Sequence, residues 1–311
     1  MTDELLPVAV VIPTRDRPGA LRRTLQSLAE QTAQPAELRI VDASTNGSTR
    51  SLCVEEVIPG LRSTVSWCRA DLAGAASQRN QGLHGCCQPV IGFMDDDILF
   101  EPDCFVRLWR ALQSDDRTGG VNAMIMNQRY QSPGRISQIV FRLLDNRPLS
   151  SYPGGVLGPA VNLLPEDRED LPEAVSVDWL NTTCTLYRRE ALPDPPFPDR
   201  FEGYSMMEDL ALSLTVGRCW KLANARTARI YHDSQPGEHK SDPGLVAEME
   251  LVNRHYVMTK VLGRSRFSDY LRLGLFELFS LISILRTPGG RMALGSTLRG
   301  KGRACWILVT K

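Results

Sequence analysis

The stretch Val90-Ile91-Gly92-Phe93-Met94-Asp95-Asp96-Asp97 decides how this chain is read. Five apolar residues in a row suit a strand buried on both faces, as in parallel sheets. Three carboxylates follow at once. At the carboxyl end of a buried strand they repel one another unless a cation sits among them. Hard divalent cations take such oxygen ligands. Open α/β sheets bind their ligands at that end, and a metal held there suits a diphosphate. The competing reading is a helix start. Asp caps helices and favours their positive end, and Pro102 suits a helix just downstream.

Working outward, strand and helix patterns alternate. Residues 8–12 are a β-branched run, and residues 18–32 have helical spacing at Leu21, Leu25 and Leu28. Residues 37–41 predict a second strand ending at Asp42, and residues 64–68 a third. Residues 74–86 and 102–113 predict helices on either side of the 90–94 strand. Such alternation implies an α/β fold with a mostly parallel, doubly wound sheet. Thr14-Arg15, Asp42 and Asp95–Asp97 then share the ligand-binding ends of the strands.

Residues 127–175 are rich in Pro, Gly, Arg and Ser and read as loops with one helix. Residues 177–187 form a strand-like run ending in Arg188-Arg189, and a Pro-rich turn follows. A helix starts near Glu208, and residues 228–231 form another short strand before His232. Residues 1–243 are therefore expected to form one catalytic domain, with a nucleotide half at 1–126 and an acceptor half at 127–243. Residues 244–311 are expected to form a helical extension.

The formal net charge of the 311 residues is zero, but it is unevenly spread. Residues 254–311 hold 11 Lys or Arg against Asp269 and Glu277 alone. A basic tail suits an anionic partner; a solvated helix face explains it equally. Within it, residues 271–285 are strongly apolar but short and charged for a membrane span. They fit a helix lying on an anionic membrane surface, or one packed on the main domain. The eight cysteines form no C-x-x-C pair, which predicts a reducing compartment without disulfides or zinc. The acidic first residues read as no secretory leader, so the expected location is cytoplasmic, peripheral on a membrane at most.

Four segments resemble glycosyltransferase family 2, whose fold is of the GT-A type. They are Val10-Val11-Ile12-Pro13-Thr14-Arg15-Asp16-Arg17, Arg79-Asn80-Gln81-Gly82-Leu83, the Asp95-Asp96-Asp97 triplet, and Phe201-Glu202-Gly203-Tyr204 followed by Glu208-Asp209. Order and spacing make the resemblance strong over residues 8–232. It implies an inverting transfer of sugar from a nucleotide-sugar, assisted by Mn²⁺ or Mg²⁺. Pro13, Thr14 and Arg15 would belong to the nucleotide loop, Asp42 would recognise the base, and Arg79 would approach the phosphates. Asp97 would ligate the metal. Asp95 would face the ribose or sugar and share the metal site, while Asp96 could serve either role. His232 would complete the metal shell, and His239 would lie in a loop near the acceptor. Asp209 would be the base for the acceptor hydroxyl, with Glu208 beside it. Trp179, Asn181 and Thr182 would line the sugar side.

Each residue also has a plainer reading. Asp42 can form an Asx turn in Asp42-Ala43-Ser44-Thr45-Asn46-Gly47-Ser48, Arg79 a surface ion pair, and Trp179 a core contact. Glu208 and Asp209 can simply charge a helix start. A lone histidine such as His232 is often structural.

The Q-x-x-R-W motif of processive members is missing, so one sugar per turn is expected. The acceptor would be a glycan or a lipid-linked glycan, as in polysaccharide biosynthesis. Three alternatives stand beside this: an inactive nucleotide- or glycan-binding scaffold of the same fold, a nucleotidyltransferase, and nucleic-acid binding through the tail. The last is disfavoured because no reading motif is visible.

Overall fold

The computed structural model describes residues 4–203, 205–234, 242–286 and 289–310. Tyr204 and His239 lie outside these. Two compact units are formed, Met1–Arg129 with Pro165–Gln235, and Tyr130–Leu164 with Pro236–Lys311. This grouping differs from a division at 243/244, because 130–164 joins the C-terminal helices.

The first unit opens with β1 (Glu4–Thr14), α1 (Pro18–Ala29), β2 (Ala33–Asp42), α2 (Ser48–Val54), β3 (Thr64–Arg69), α3 (Ala75–Leu83) and β4 (Val90–Met94). The strands lie parallel in the order β3-β2-β1-β4. β4 is buried along its whole length, as its unbroken apolar run requires. Beyond β4 come β5 (Ile98–Phe100), α4 (Cys104–Gln113) and β6 (Thr118–Ile125). The second unit's α5 (Arg135–Asp145), β7 (Val156–Leu157) and β8 (Val161–Asn162) interrupt the chain here.

The first unit resumes with β9 (Ala174–Ser176), β10 (Cys184–Arg188), α6 (Glu208–Val216) and β11 (Lys221–His232). β10 inserts antiparallel between β4 and β6, and β11 runs parallel to β6. Two expectations change. The 177–187 run is strand only from Cys184, because Ser213 Oγ of α6 binds both the N–H and the C=O of Leu180 and holds that segment turned. The strand read at 228–231 starts at Lys221, because its first half pairs with β6 although its pattern is not β-branched.

Close packing sets the height of α3 on the sheet. A Cβ on Gly82 would lie 2.3 Å from Val11 Cγ1, so only glycine permits this approach. Gln78, one turn earlier, donates to the carbonyls of Thr14 and Val41. The helix is thereby tied to the ends of β1 and β2. Below, Leu21, Leu25 and Leu28 of α1 enter the main core with Phe105 and Leu108 of α4.

In the second unit, α7 (Pro243–Tyr256) continues through a π-helical turn, Val257–Val261. α8 (Phe267–Ile284) and α9 (Gly290–Thr310) follow. Asp242 caps α7 by accepting from the N–H groups of Gly244 and Leu245. Val140, Phe141 and Leu144 of α5 share a small core with Leu275, Phe276 and Phe279 of α8. No helix among the described residues is long and apolar enough to cross a membrane.

Candidate active site

β4 ends at Met94, and the three carboxylates emerge beyond it. Asp95 N–H donates to the carbonyl of Thr183, which fixes the first of them. β11 ends nearby with His232. Ligand atoms of Asp95, Asp97 and His232 all lie within 4.8 Å of one another. His232 Nε2 is 3.1 Å from Asp97 Oδ1. Two carboxylates and an imidazole suit Mn²⁺ better than Mg²⁺. Three protein ligands also leave positions open for substrate oxygens.

The histidine is held on two sides. Asn127 donates to its carbonyl and accepts from its N–H, at 2.9 and 3.1 Å. The Gln128 side-chain amide meets its Nδ1 at 3.1 Å. With that amide turned over, its oxygen accepts from Nδ1–H and leaves Nε2 as the ligating atom. Asn127 and Gln128 carry no sequence signal that marks them out, because they follow β6 and only the β6–β11 pairing brings them to His232.

Asp96 turns the other way, towards β1. It accepts from Thr14 Oγ1 at 2.6 Å and is almost wholly buried. Burial raises its carboxyl to about 7; the Thr14 hydrogen bond opposes this and the Asp97 charge adds to it. Arg17 reaches over from the loop after β1, its Nη1 3.4 Å from both Asp96 Oδ1 and Asp97 Oδ2. Arg17, which the sequence motif contains without a role, is the cation beside Asp96 and Asp97. Arg15 is exposed and pairs with Asp16 at 3.7 Å, while Pro13 is buried in β1.

Asp42 ends β2 with no exposed surface. Its Oδ1 accepts from Ser44 N–H at 2.8 Å and its Oδ2 from Trp67 Nε1 at 3.1 Å. The first bond makes an Asx turn.

Arg79, on α3, is 2% exposed. Its two terminal nitrogens donate to Asp95 Oδ1 at 2.8 Å and Glu208 Oε1 at 2.9 Å, and its guanidinium lies over Phe197. The metal-type cluster and the start of α6 thus share one cation. The chain before α6 is brought to α3 by a bridge between Gly74 and Gly203. It then turns through Ser205 and Met207, both in left-handed conformation.

Glu208 and Asp209 form the first turn of α6. Burial, then the charge of Asp209, raises Glu208, against the pull of Arg79. Burial also pushes Asp209 up to about 6, although its own backbone contacts oppose this. Asp209 Oδ1 accepts from Leu210 N–H at 2.7 Å. Its other oxygen has no hydrogen bond among the described residues. A half-buried carboxylate with one open oxygen is suited to take a proton.

The segment before β10 borders the cluster through the Asp95–Thr183 bond. Trp179, Asn181 and Thr182 are buried there, and Asn181 Oδ1 has no protein partner among the described residues.

A sheet of this order, with carboxylates at its strand ends, has the GT-A architecture of glycosyltransferases. The family profile described as Glycosyl transferase family 2 matches residues 9–193. The chain belongs to that family and is a glycosyltransferase. No curated protein sequence matches it.

Solved structures carry the same fold. The mannosyltransferase PcManGT from Pyrobaculum calidifontis, in complex with GDP-Man and Mn²⁺, is 13% identical with a TM-score of 0.58. The alignment covers 98% of this chain and 90% of that one. GalNAc-T7 with UDP, GalNAc and Mn²⁺ is 17% identical with a TM-score of 0.52, over 73% of this chain. The chain spans only 44% of that protein's length. S. aureus TarS 1–349 in complex with UDP-GlcNAc is 16% identical with a TM-score of 0.50, over 96% of this chain and 92% of that one. Identities this low speak for the fold alone.

Proposed function

We propose that this glycosyltransferase moves a single sugar, with inversion, from a nucleotide-sugar donor to a glycan or lipid-linked acceptor, using Mn²⁺ or Mg²⁺. The carrying observation is the convergence of Asp95, Asp97 and His232, joined through Arg79 to Glu208 and so to the start of α6. The metals and nucleotides in the PcManGT and GalNAc-T7 structures support the same reading.

The donor's nucleotide lies along the end of β1 at Pro13 and Thr14 and the loop that begins at Arg15, with Arg17 meeting the diphosphate as it turns from Asp96 and Asp97. A metal bound by Asp95, Asp97 and His232 would stabilise the charge that develops on the leaving diphosphate. Asp209 takes the proton of the acceptor hydroxyl. The hydroxyl oxygen then bonds to the anomeric carbon as that carbon's bond to the phosphate oxygen breaks. Glu208, neutralised by Arg79 or by a proton, keeps the second charge off Asp209 and holds the helix start in place. Asn181 Oδ1 is suited to accept from a sugar hydroxyl, and Trp179 to pack against a ring. Asp42 contributes to base recognition by shaping the turn after β2. The basic segment 254–311 supports an acceptor at an anionic membrane surface, with the enzyme cytoplasmic and peripheral.

The test is donor binding and hydrolysis across UDP-, GDP- and dTDP-sugars with Mn²⁺ or Mg²⁺, for the native chain and Asp97→Ala. Metal-dependent binding of one nucleotide class, lost in the variant, is expected. Binding without any turnover on any acceptor would favour a scaffold, and no binding by a folded protein would overturn the proposal.

A further inference from the structure

The second unit exposes apolar side chains in stripes, and the first of them lies far from the C-terminus. α5 is apolar on two faces. One face, Val140, Phe141 and Leu144, packs against α8. The other carries Ile136, Ile139 and Leu143, each more than half exposed. Spacings of three and four residues put these three on one side of the helix. Arg135 and Arg142 are exposed on the same helix and make no ion pair among the described residues. Its one acid, Asp145, sits at the last position and pairs with Arg147.

α8 repeats the pattern. Phe267, Leu271, Leu278 and Ile282 are exposed at helical spacing, Phe267 at 78%. α9 contains no acidic residue; it exposes Trp306 at 71%, and its Arg291 and Arg299 make no ion pair among the described residues. Exposed apolar stripes of this kind, each on one side of its helix, mark interaction sites.

We infer that α5 and α8 together form a surface that docks on an anionic lipid bilayer, so that membrane attachment uses a mid-chain helix as well as the basic C-terminal segment. The inference rests on the membrane reading of 254–311 given above and extends it to residues 135–145. Charge chooses the occupant. A contact with a second copy would bring together two faces whose arginines find no free acid on the other, since the one acid of α5 is already paired. Anionic headgroups would instead attract them while the aliphatic side chains enter the acyl boundary. No described helix can span the bilayer, so these helices lie in its interface.

Flotation of the full chain with phosphatidylcholine vesicles, with and without phosphatidylglycerol, tests this. The native chain is expected to float with the anionic vesicles and to dissociate as salt is raised. The triple variant Ile136→Ser, Ile139→Ser, Leu143→Ser should lose at least about tenfold in vesicle partitioning. Its far-UV dichroism should be unchanged and its unfolding midpoint little changed, because the three side chains are more than half exposed and lie outside the small core. Native-like flotation of this variant, with loss on Arg291→Gln/Arg299→Gln, would overturn the role of α5 and leave the tail reading standing. No flotation of the native chain would overturn both. A native dimer that the triple variant makes monomeric, without vesicle binding, would assign the surface to a second copy and also overturn the inference.

Discussion

Arg79 and Glu208 form a buried ion pair at 2.9 Å although 129 positions separate them in the chain. The other arm of the same guanidinium holds Asp95. An arginine does this because its planar fork presents two donors at a fixed angle. Arg79 is therefore an internal cation serving the carboxylates of two distant segments, while Arg17 serves Asp96 and Asp97.

Removing that cation should be costly. Arg79→Ala leaves Glu208 and Asp95 without their counter-charge, and loss of one partner of a buried pair costs about 3–5 kcal/mol. Urea unfolding should show a loss of this size. Arg79→Lys should fold better, because one ammonium still neutralises Glu208. It cannot bridge, so Asp95 should drift and Mn²⁺ binding weaken. An Arg79→Lys protein with native metal affinity would show that the bridge to Asp95 does not matter.

The pH profile follows from Asp209. A general base acts only when ionised, and burial pushes this carboxyl up to about 6. Transfer should thus fall as pH drops through about 6 and level off above it. Asp209→Asn should reduce kcat by about 10²–10⁴-fold at unchanged unfolding midpoint. An acid limb at the same pH in Asp209→Asn would assign the titration to another group.

Chelation with EDTA should abolish transfer, and added Mn²⁺ should restore it. Asp97→Ala should not recover. Gln128→Ala tests the support around His232, since loss of such an outer partner typically weakens metal affinity by about 10–100-fold. Titration calorimetry with Mn²⁺ reads this directly. Native affinity in both Gln128→Ala and His232→Ala would remove the histidine from the metal shell.

Gly82 offers a stability test remote from chemistry. Its added Cβ would strike Val11 on β1, and such overpacking costs about 1–3 kcal/mol. Gly82→Ala should lower the unfolding midpoint accordingly. It should also disturb the donor site, because α3 carries Arg79. A neutral effect would mean that α3 can rise off the sheet without penalty.

By itself the sequence determined the class of fold and the family. The buried run at 90–94, the alternation before it and the carboxylates after it are local patterns. Strand and helix preferences act over a few residues, so they survive in the linear order. The placement of Thr14, Asp42 and Asp95–Asp97 at strand ends follows from the same alternation. What lay beyond reach were partners set by long-range pairing. Asn127 and Gln128 reach His232 only because β6 and β11 are neighbours in the sheet. Asp42 turns inward because Trp67 stands on the adjacent strand. Arg79 faces carboxylates rather than water because α3 packs tightly enough over Val11 to bury it. The exposed side of α5 emerged only once α8 had covered the other, since a helix apolar on two faces does not say which one a neighbour will take. Each of these outcomes depends on which surfaces meet across tens of residues. The tertiary structure sets that through packing, which no local spacing encodes.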